Sequence, residues 1–195
     1  SPIKIIGHLG NLNRTGNSFG LKYLLINLVP VLEEKMKGLE YEIHIIGGGE
    51  PSEYLEQYFN QKHVVRRGYV DDLDNELMTS DIFLLMNNAG PFIGLYARHL
   101  LAWYMGLCLI THANSKIALP EIEQNVNVLM GSTADKIAHQ IYLATTDFAL
   151  NKRIRKGGFE TYERHFTPEQ FVKKFTREFS LLEESYSSDR TASFK

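Results

Sequence analysis

Short apolar runs of strand length alternate with amphipathic segments up to about residue 130, and this alternation limits the possible folds more than any other feature. The clearest unit begins with the run Asp-Ile-Phe-Leu-Leu-Met at Asp81. It continues through turn-forming residues and a helical segment that stops at Gly106, and it enters another apolar strand at Leu107. Such alternation is typical of parallel βαβ units. Ligands bind at the carboxyl ends of the strands in open parallel sheets, so we expect function in the loop over 87–94.

The same pattern predicts the rest of the chain. Strands are expected over 3–6, 42–46, 63–67, 81–86, 107–112 and 126–130. Helices are expected over 20–37, 51–60, 72–79, 94–105, 132–147, 150–165 and 168–186, with a kink or an early end at Pro30. The predicted fold class is α/β, as a single Rossmann-like domain with a parallel sheet of about six strands, helices on both faces and a helical C-terminal segment. We expect one domain over 1–186 and a polar tail over 187–195.

Composition excludes several classes of function. The net charge of −2 gives no general electrostatic basis for binding nucleic acid. We expect no metal site, because the histidines and the single cysteine, Cys108, lack the spacing of metal ligands. Cys108 lies in an apolar strand and is expected to be a buried, inert thiol. No apolar run is long enough for a transmembrane segment and no signal peptide is recognised, so we expect a cytoplasmic protein, or a membrane-peripheral one at full length.

The long loop after the first strand is rich in glycine and asparagine and carries His8, Gly10 and Arg14. It does not have the spacing of a Walker A loop, and Asn17 stands where that motif has lysine. It also lacks the G-x-G-x-x-G fingerprint of dinucleotide-binding loops. Its position at the carboxyl end of a strand still favours phosphate binding over a merely flexible turn.

Three further segments have both a structural and a functional interpretation. Gly47, Gly48 and Gly49 form either a bare turn or a close approach to a ligand. Asp71 or Asp72 is expected to be the N-cap of a helix rather than part of a catalytic pair. Arg98 either faces solvent or meets a phosphate from the first turn of its helix.

Taken in order, these segments resemble the C-terminal, donor-binding domain of GT-B glycosyltransferases of the group 1 or family-4 type. The resemblance runs from about residue 3 to 175 and depends on the order of motifs that are weak individually. These motifs are Gly7-His8-Leu9, Ile46-Gly47-Gly48-Gly49-Glu50-Pro51, Arg67-Gly68-Tyr69-Val70, Ser80-Asp81-Ile82-Phe83-Leu84, Met105-Gly106, Pro120-Glu121-Ile122 and Phe166-Thr167-Pro168-Glu169-Gln170.

The resemblance implies a domain that binds a nucleotide sugar as substrate, without a metal or another cofactor. It assigns the donor diphosphate to His8, Gly10, Arg14 and Arg98. It assigns the donor sugar and nucleotide to Gly47, Gly48, Gly49, Gly68, Tyr69, Val70, Asn88, Ala89, Gly90 and Gly94. It assigns no catalytic residue, and it does not identify the sugar, the base or the acceptor.

The chain departs from the family at three positions. Ile93 and Leu101 stand where the family often has two glutamates, the second of which binds the nucleotide ribose. His8 replaces the usual arginine and is expected to be charged only in part near neutral pH. These departures support an alternative function, a non-catalytic GT-B-like module that has lost nucleotide binding. An unrelated flavodoxin-like or Rossmann-like binding domain is a third alternative, which a different strand order would support.

The expected function is donor binding in a glycosyltransferase that transfers a sugar from a nucleoside-diphosphate sugar. The resemblance also implies a partner, because GT-B enzymes bind the acceptor on a separate N-terminal domain. We expect this chain to be a fragment of a longer enzyme, or else to work with a separate acceptor-binding subunit. Alone it is expected to be inactive, because the acceptor is not positioned.

Overall fold

The central sheet has six parallel strands, as predicted. The computed structural model describes residues 1–91, 93–94 and 96–192, with side chains described as far as residue 181. The strands are β1 (Ile3–Leu9), β2 (Tyr41–Ile46), β3 (Val64–Gly68), β4 (Ile82–Leu85), β5 (Leu109–His112) and β6 (Leu129–Gly131). Their order is β3-β2-β1-β4-β5-β6, so the direction of winding reverses between β1 and β4. Ligands bind at such a switch point, beyond the carboxyl ends of the strands.

Helices connect the strands and continue after the last one. They are α1 (Thr15–Lys22), α2 (Val29–Lys35), α3 (Glu53–Glu56), α4 (Leu73–Met78), α5 (Ala97–Tyr104), α6 (Ser115–Ala118), α7 (Ala134–Thr146), α8 (Phe148–His165) and α9 (Pro168–Ala192), with 3₁₀ turns at Gln57–Asn60 and Asn87–Ala89. In the described part of the chain, no helix has the length and apolar character needed to cross a bilayer.

Capping residues fix two helix starts where the sequence predicts them. The Asp72 side chain accepts a hydrogen bond from Asn75 N at 3.0 Å and caps α4. Thr167 Oγ1 accepts from Gln170 N at 3.3 Å, and α9 begins at Pro168. This last helix passes the predicted end at residue 186 and continues to Ala192. The division into a domain and a polar tail stays a prediction, and 193–195 lie outside the described residues.

Pro30 perturbs the first helical segment without ending it. A π-helical stretch, Tyr23–Leu28, separates α1 from α2, and Val29 N donates to Leu24 O across the wider turn. Proline has no N–H to give to the preceding turn, so the hydrogen-bond pattern of the helix must shift around it. The chain resumes α-helical geometry and reaches Lys35. The predicted kink is therefore a change of helical pitch.

Two apolar clusters cover the two faces of the sheet. On one face Ile5 and Ile43 pack with α1, α2 and α7, and on the other Ile6 and Phe83 pack with α5. Adjacent strand residues point to opposite faces, so a buried parallel strand is apolar throughout. Cys108 is buried in the first cluster and burial raises the pKa of its thiol to about 12, which confirms the expected inert cysteine.

Candidate functional site

The loops at the carboxyl ends of β1, β2 and β3 are joined by their backbones. Three hydrogen bonds link them, from Gly10 N to Ile46 O (2.9 Å), from Leu12 N to Gly48 O (3.0 Å) and from Gly47 N to Gly68 O (2.8 Å). The segments predicted separately around residues 10, 47 and 68 therefore form one continuous edge. The β1–β4 switch point lies at one end of this edge.

Gly47 is required for this arrangement. Its φ of +136° is unfavourable for residues with a side chain, and a Cβ atom there would overlap the carbonyl oxygen of Gly10. The close approach seen at Gly47 is that of one loop backbone to another, and a close approach of a ligand to the glycine run stays a prediction. It brings the loop after β2 against the loop after β1.

Arg98 crosses the switch point from the first turn of α5. Its Nη2 donates to Asn17 Oδ1 at 2.5 Å and its Nη1 donates to Asn87 Oδ1 at 3.3 Å. Asn17 belongs to α1, which follows β1, and Asn87 follows β4. Asn87 Nδ2 in turn donates to Gly16 O at 3.0 Å. The guanidinium group therefore joins the two segments that flank the switch point.

The positive charge of Arg98 is not neutralised by its neighbours. Among the described residues its hydrogen-bond partners are amide oxygens, and no carboxylate forms an ion pair with it. Burial lowers the pKa of the guanidinium, but it remains the protonated group that arginine always is in proteins. The guanidinium also lies against Gly10, since a Cβ there would be 3.0 Å from Nη2. This combination places a fixed, unpaired cation beside a glycine-rich loop.

His8 is neutral in this setting, which corrects the expectation of partial charge. Burial and the nearby Arg98 charge lower its pKa to about 4. Its Nε2 lies 3.2 Å from Gly10 O, and since a carbonyl oxygen only accepts, Nε2 carries the proton and donates. His8 therefore orients the Gly10 peptide and contributes no cation near neutral pH.

Several predicted site residues stand apart from Arg98. Arg14 is exposed at the start of α1, and Gly48 is also exposed. Tyr69 is 82% exposed beyond β3, whereas the side chain of Val70 packs against the second apolar cluster. The structure thus gathers His8, Gly10, Gly47 and Arg98, and leaves Arg14 and Tyr69 as peripheral groups.

The predicted loop after β4 is anchored by a buried asparagine. Asn88 is 1% exposed, and its Oδ1 accepts from Gly94 N at 3.3 Å. Ala89 N donates to Met86 O within the 3₁₀ turn, and Gly90 packs against Phe19 of α1. Phe92 and Leu95 of this loop lie outside the described residues.

Sequence reasoning did not assign the amides and hydroxyls that support these groups, Asn17, Asn87, Thr111, Asn114 and Ser115. Most of them pair across long stretches of sequence, so no local spacing reveals them. The one available signal was position, because Asn17 and Asn87 both follow strands. Using it required knowing that β1 and β4 are neighbours.

Acidic groups are missing from the β4 and β5 side of the edge. No aspartate or glutamate occurs between Ile82 and Pro120, and Leu101 packs against the second apolar cluster. Within the described part of the chain, His, Cys, Asp and Glu side chains form no group of three that could hold a metal. What this region can offer a ligand is hydrogen-bond donors and the charge of Arg98, which suits an anion.

Comparisons with known proteins agree with this geometry. Residues 3–147 match the family model of the group 1 glycosyl transferases, whereas a comparison with curated protein sequences gives no match. A glycosyltransferase from Rickettsia africae is similar with a TM-score of 0.67 and 16% identity, over 92% of this chain and 48% of that one. HepE from Anabaena, in complex with UDP and glucose, is similar with a TM-score of 0.67 and 15% identity, over 90% of this chain and 48% of that one. The C-terminal domain of LpcC, a group 1 glycosyl transferase of Francisella tularensis, gives a TM-score of 0.57 and 15% identity. This match covers 85% of this chain and 87% of that domain.

The structural matches establish the fold. The chain spans about half the length of the first two of these proteins and most of the LpcC domain. At 15–16% identity they show a shared GT-B Rossmann-like architecture and not a shared substrate. The family model covers most of the sequence. This chain therefore belongs to the group 1 glycosyl transferase family.

Proposed function

We propose that this chain is the donor-binding domain of a glycosyltransferase and binds the diphosphate of a nucleoside-diphosphate sugar at the β1–β4 switch point. The observation that carries the proposal is the guanidinium of Arg98, which pairs with no carboxylate of the described side chains and is held by Asn17 and Asn87 beside Gly10. Neutral amides fix its direction without cancelling its charge. An arginine fork in this geometry suits phosphate oxygens, which accept two parallel hydrogen bonds.

The mechanism follows from electrostatics. Departure of the nucleoside diphosphate builds negative charge on its phosphate oxygens. Arg98 stabilises that charge more strongly as it develops, because Asn17 and Asn87 already orient its guanidinium group. Arg14, at the exposed start of α1, adds a second positive charge. No step in this scheme uses a metal ion or another cofactor.

The sugar acceptor is proposed to bind elsewhere, on an acceptor-binding domain of the same longer chain or on a separate subunit. The chain covers about half the length of the Rickettsia africae glycosyltransferase and of HepE. An apolar face is also available for such a partner, because Phe171, Phe175 and Phe179 of α9 form a row that is 66%, 61% and 53% exposed. Rows of exposed aromatic side chains mark interaction sites.

The test is a calorimetric titration of the chain with UDP, GDP, ADP and their common sugar conjugates. Saturable binding of one nucleotide is expected. Arg98→Ala should raise its Kd by about 10- to 100-fold, the range for hydrogen bonds to a charged group. Arg14→Ala should raise it only a few-fold, roughly the effect of an exposed charge. Arg153→Ala, an exposed arginine on α8, is the matched control and should leave Kd unchanged.

A non-catalytic module is the second candidate, and one observation favours it. Leu101 packs into the second apolar cluster where the family often has its ribose-binding glutamate, and a leucine side chain cannot accept a hydroxyl proton. Binding of no nucleoside diphosphate, with or without sugar, would support this candidate. Binding that is insensitive to Arg98→Ala would remove the diphosphate site proposed above.

A further inference from the structure

We infer that Thr111 and Ser115 are positioning residues that fix the sugar end of the donor site through Asn88. Three of the polar groups concerned, Asn88, Thr111 and Ser115, are at least 99% buried, and they connect β4, β5 and α6 with the loop over 88–94. None of the three is among the described hydrogen-bond partners of Arg98, which are Asn17 and Asn87. The consequence for sugar binding rests on the proposed function.

Asn88 joins the two ends of the loop. Its Oδ1 accepts from Gly94 N at 3.3 Å, and its Nδ2 donates to Ser115 Oγ at 3.1 Å. Its backbone carbonyl accepts from Asn114 Nδ2 at 3.2 Å. A rotation of the amide by 180° would place the NH₂ group against the N–H of Gly94, two donors facing each other. Gly94 therefore fixes the orientation of the amide.

The hydroxyl groups beneath Asn88 have one consistent direction of donation. Thr111 Oγ1 lies 2.8 Å from Leu85 O, and because a carbonyl oxygen only accepts, Thr111 gives its single hydrogen to it. Ser115 Oγ lies 2.7 Å from Thr111 Oγ1 and must be the donor to it. His99 Nε2, 3.1 Å from the same oxygen, must donate as well. Ser115 has then used its hydrogen and accepts from Asn88.

The result is a chain of hydrogen bonds that runs from Gly94 N through Asn88, Ser115 and Thr111 to Leu85 O on β4. Each buried donor has an acceptor only while every hydrogen bond in this series is present. Loss of either hydroxyl leaves a buried polar group without its partner, which destabilises the arrangement above it. These hydrogen bonds thus tie Gly94 to the rigid sheet, in a position from which its backbone can contact the sugar of the donor.

The experiment measures two quantities in the same variants. One is the hydrogen-exchange rate of the Gly94 amide by NMR, and the other is the ratio of the Kd values for UDP-glucose and UDP. Ser115→Ala and Thr111→Val should speed Gly94 exchange by about tenfold, as expected for one lost hydrogen bond. They should also weaken UDP-glucose binding several-fold relative to UDP.

Two variants separate positioning from general damage. Thr111→Ser keeps the hydroxyl and should retain the wild-type exchange rate and Kd ratio, which a role in packing alone would not predict. Ser80→Ala removes another buried hydroxyl, one that donates to Leu77 O at 2.6 Å before the amino end of β4, and should leave both quantities unchanged. If Ser115→Ala fails to fold, the comparison of Thr111→Val with Thr111→Ser decides.

Each outcome has one meaning. Wild-type Gly94 exchange in both Ser115→Ala and Thr111→Val would overturn the inference. Faster exchange with an unchanged Kd ratio would overturn the link to the sugar and leave the loop anchor. If the wild-type chain binds neither UDP nor UDP-glucose, donor binding to these probes fails, and the exchange rates alone decide whether the hydrogen bonds order the loop.

Discussion

At the scale of single residues, two neighbouring basic groups have different charges. Arg98 keeps the positive charge that arginine always carries in proteins, and its described hydrogen-bond partners are the amide oxygens of Asn17 and Asn87. That charge and the surrounding burial hold the pKa of His8 near 4. A histidine where the family usually has arginine therefore does not supply a second cation. Its contribution is the hydrogen bond that orients the Gly10 carbonyl.

The lowered pKa of His8 predicts that the stability of the folded chain depends on pH. The pKa of His8 is about 4 in the folded chain against an ordinary value of 6.5, so between these pH values the unfolded chain binds more protons. The contribution of His8 to stability is complete above pH 6.5 and is lost as the pH falls towards 4. This loss lowers the free energy of unfolding by about 3 kcal/mol. His8→Gln removes this titration. In urea unfolding, its free energy of unfolding should fall less than that of the wild type between pH 7.5 and 4.

The control for this experiment is His139→Gln. His139 is an exposed histidine of α7, so its replacement should reproduce the wild-type profile. Parallel pH profiles for the wild type and His8→Gln would show that His8 does not titrate at a lowered pKa in the folded chain.

At the scale of elements, the packing of α5 against α8 sets the position of Arg98. Trp103, on α5, is fully buried, and its Nε1 donates to Asn127 O at 3.0 Å. Gly158 of α8 leaves the space that the indole occupies, since a Cβ there would lie 2.6 Å from Trp103 Cδ1. A helix interior is an unfavourable place for glycine, so its presence reflects this contact.

Gly158→Ala should therefore destabilise the chain even though alanine is the better helix former. The propensity gain is about 1 kcal/mol. The overlap forces the indole away from its hydrogen bond, and overpacking of this kind costs roughly 1–3 kcal/mol before the lost bond is added. We expect a net loss of about 1–2 kcal/mol in urea unfolding. Arg153→Ala on the exposed face of α8 should change stability by less than about 0.5 kcal/mol.

A double-mutant cycle identifies the cause. Trp103→Ala removes the indole, including the Cδ1 atom that meets Gly158, so Gly158→Ala should be less costly in that background. An equal cost in both backgrounds would assign the effect to something other than this contact.

The sequence predicted the elements better than the contacts between them. Each strand is an apolar run bounded by turn residues, so β1 to β6 were found within a few positions of their ends. The π-helical stretch at Tyr23–Leu28 was not foreseen, because Pro30 indicates a disturbance and not its form. Nor were the Asn17–Arg98 and Asn88–Ser115 contacts, which depend on which strands lie side by side. Local patterns specify elements, whereas the order of strands specifies the site.

At the scale of the whole molecule, the groups that bind the donor and those that bind the acceptor are proposed to lie on separate domains or subunits. Arg98, Gly10 and Arg14 all belong to this chain, so the proposed diphosphate site requires no partner. The acceptor is proposed to bind on another domain or subunit. Binding and turnover should therefore respond differently when this chain is studied alone.

The prediction is that the 195-residue chain binds its nucleotide sugar but does not turn it over. Holding two reactants in the correct geometry supplies an effective concentration of roughly 10⁵–10⁸ M, and that advantage is absent when the acceptor has no site. Release of free nucleotide from the bound nucleotide sugar, followed over hours, should stay at the rate measured without protein. Arg98→Ala should weaken binding by the factor given above and leave this background rate unchanged. Release of nucleotide that is faster than background and is lost in Arg98→Ala would contradict this prediction. It would mean that residues of this chain alone position the attacking water and form a complete hydrolytic site.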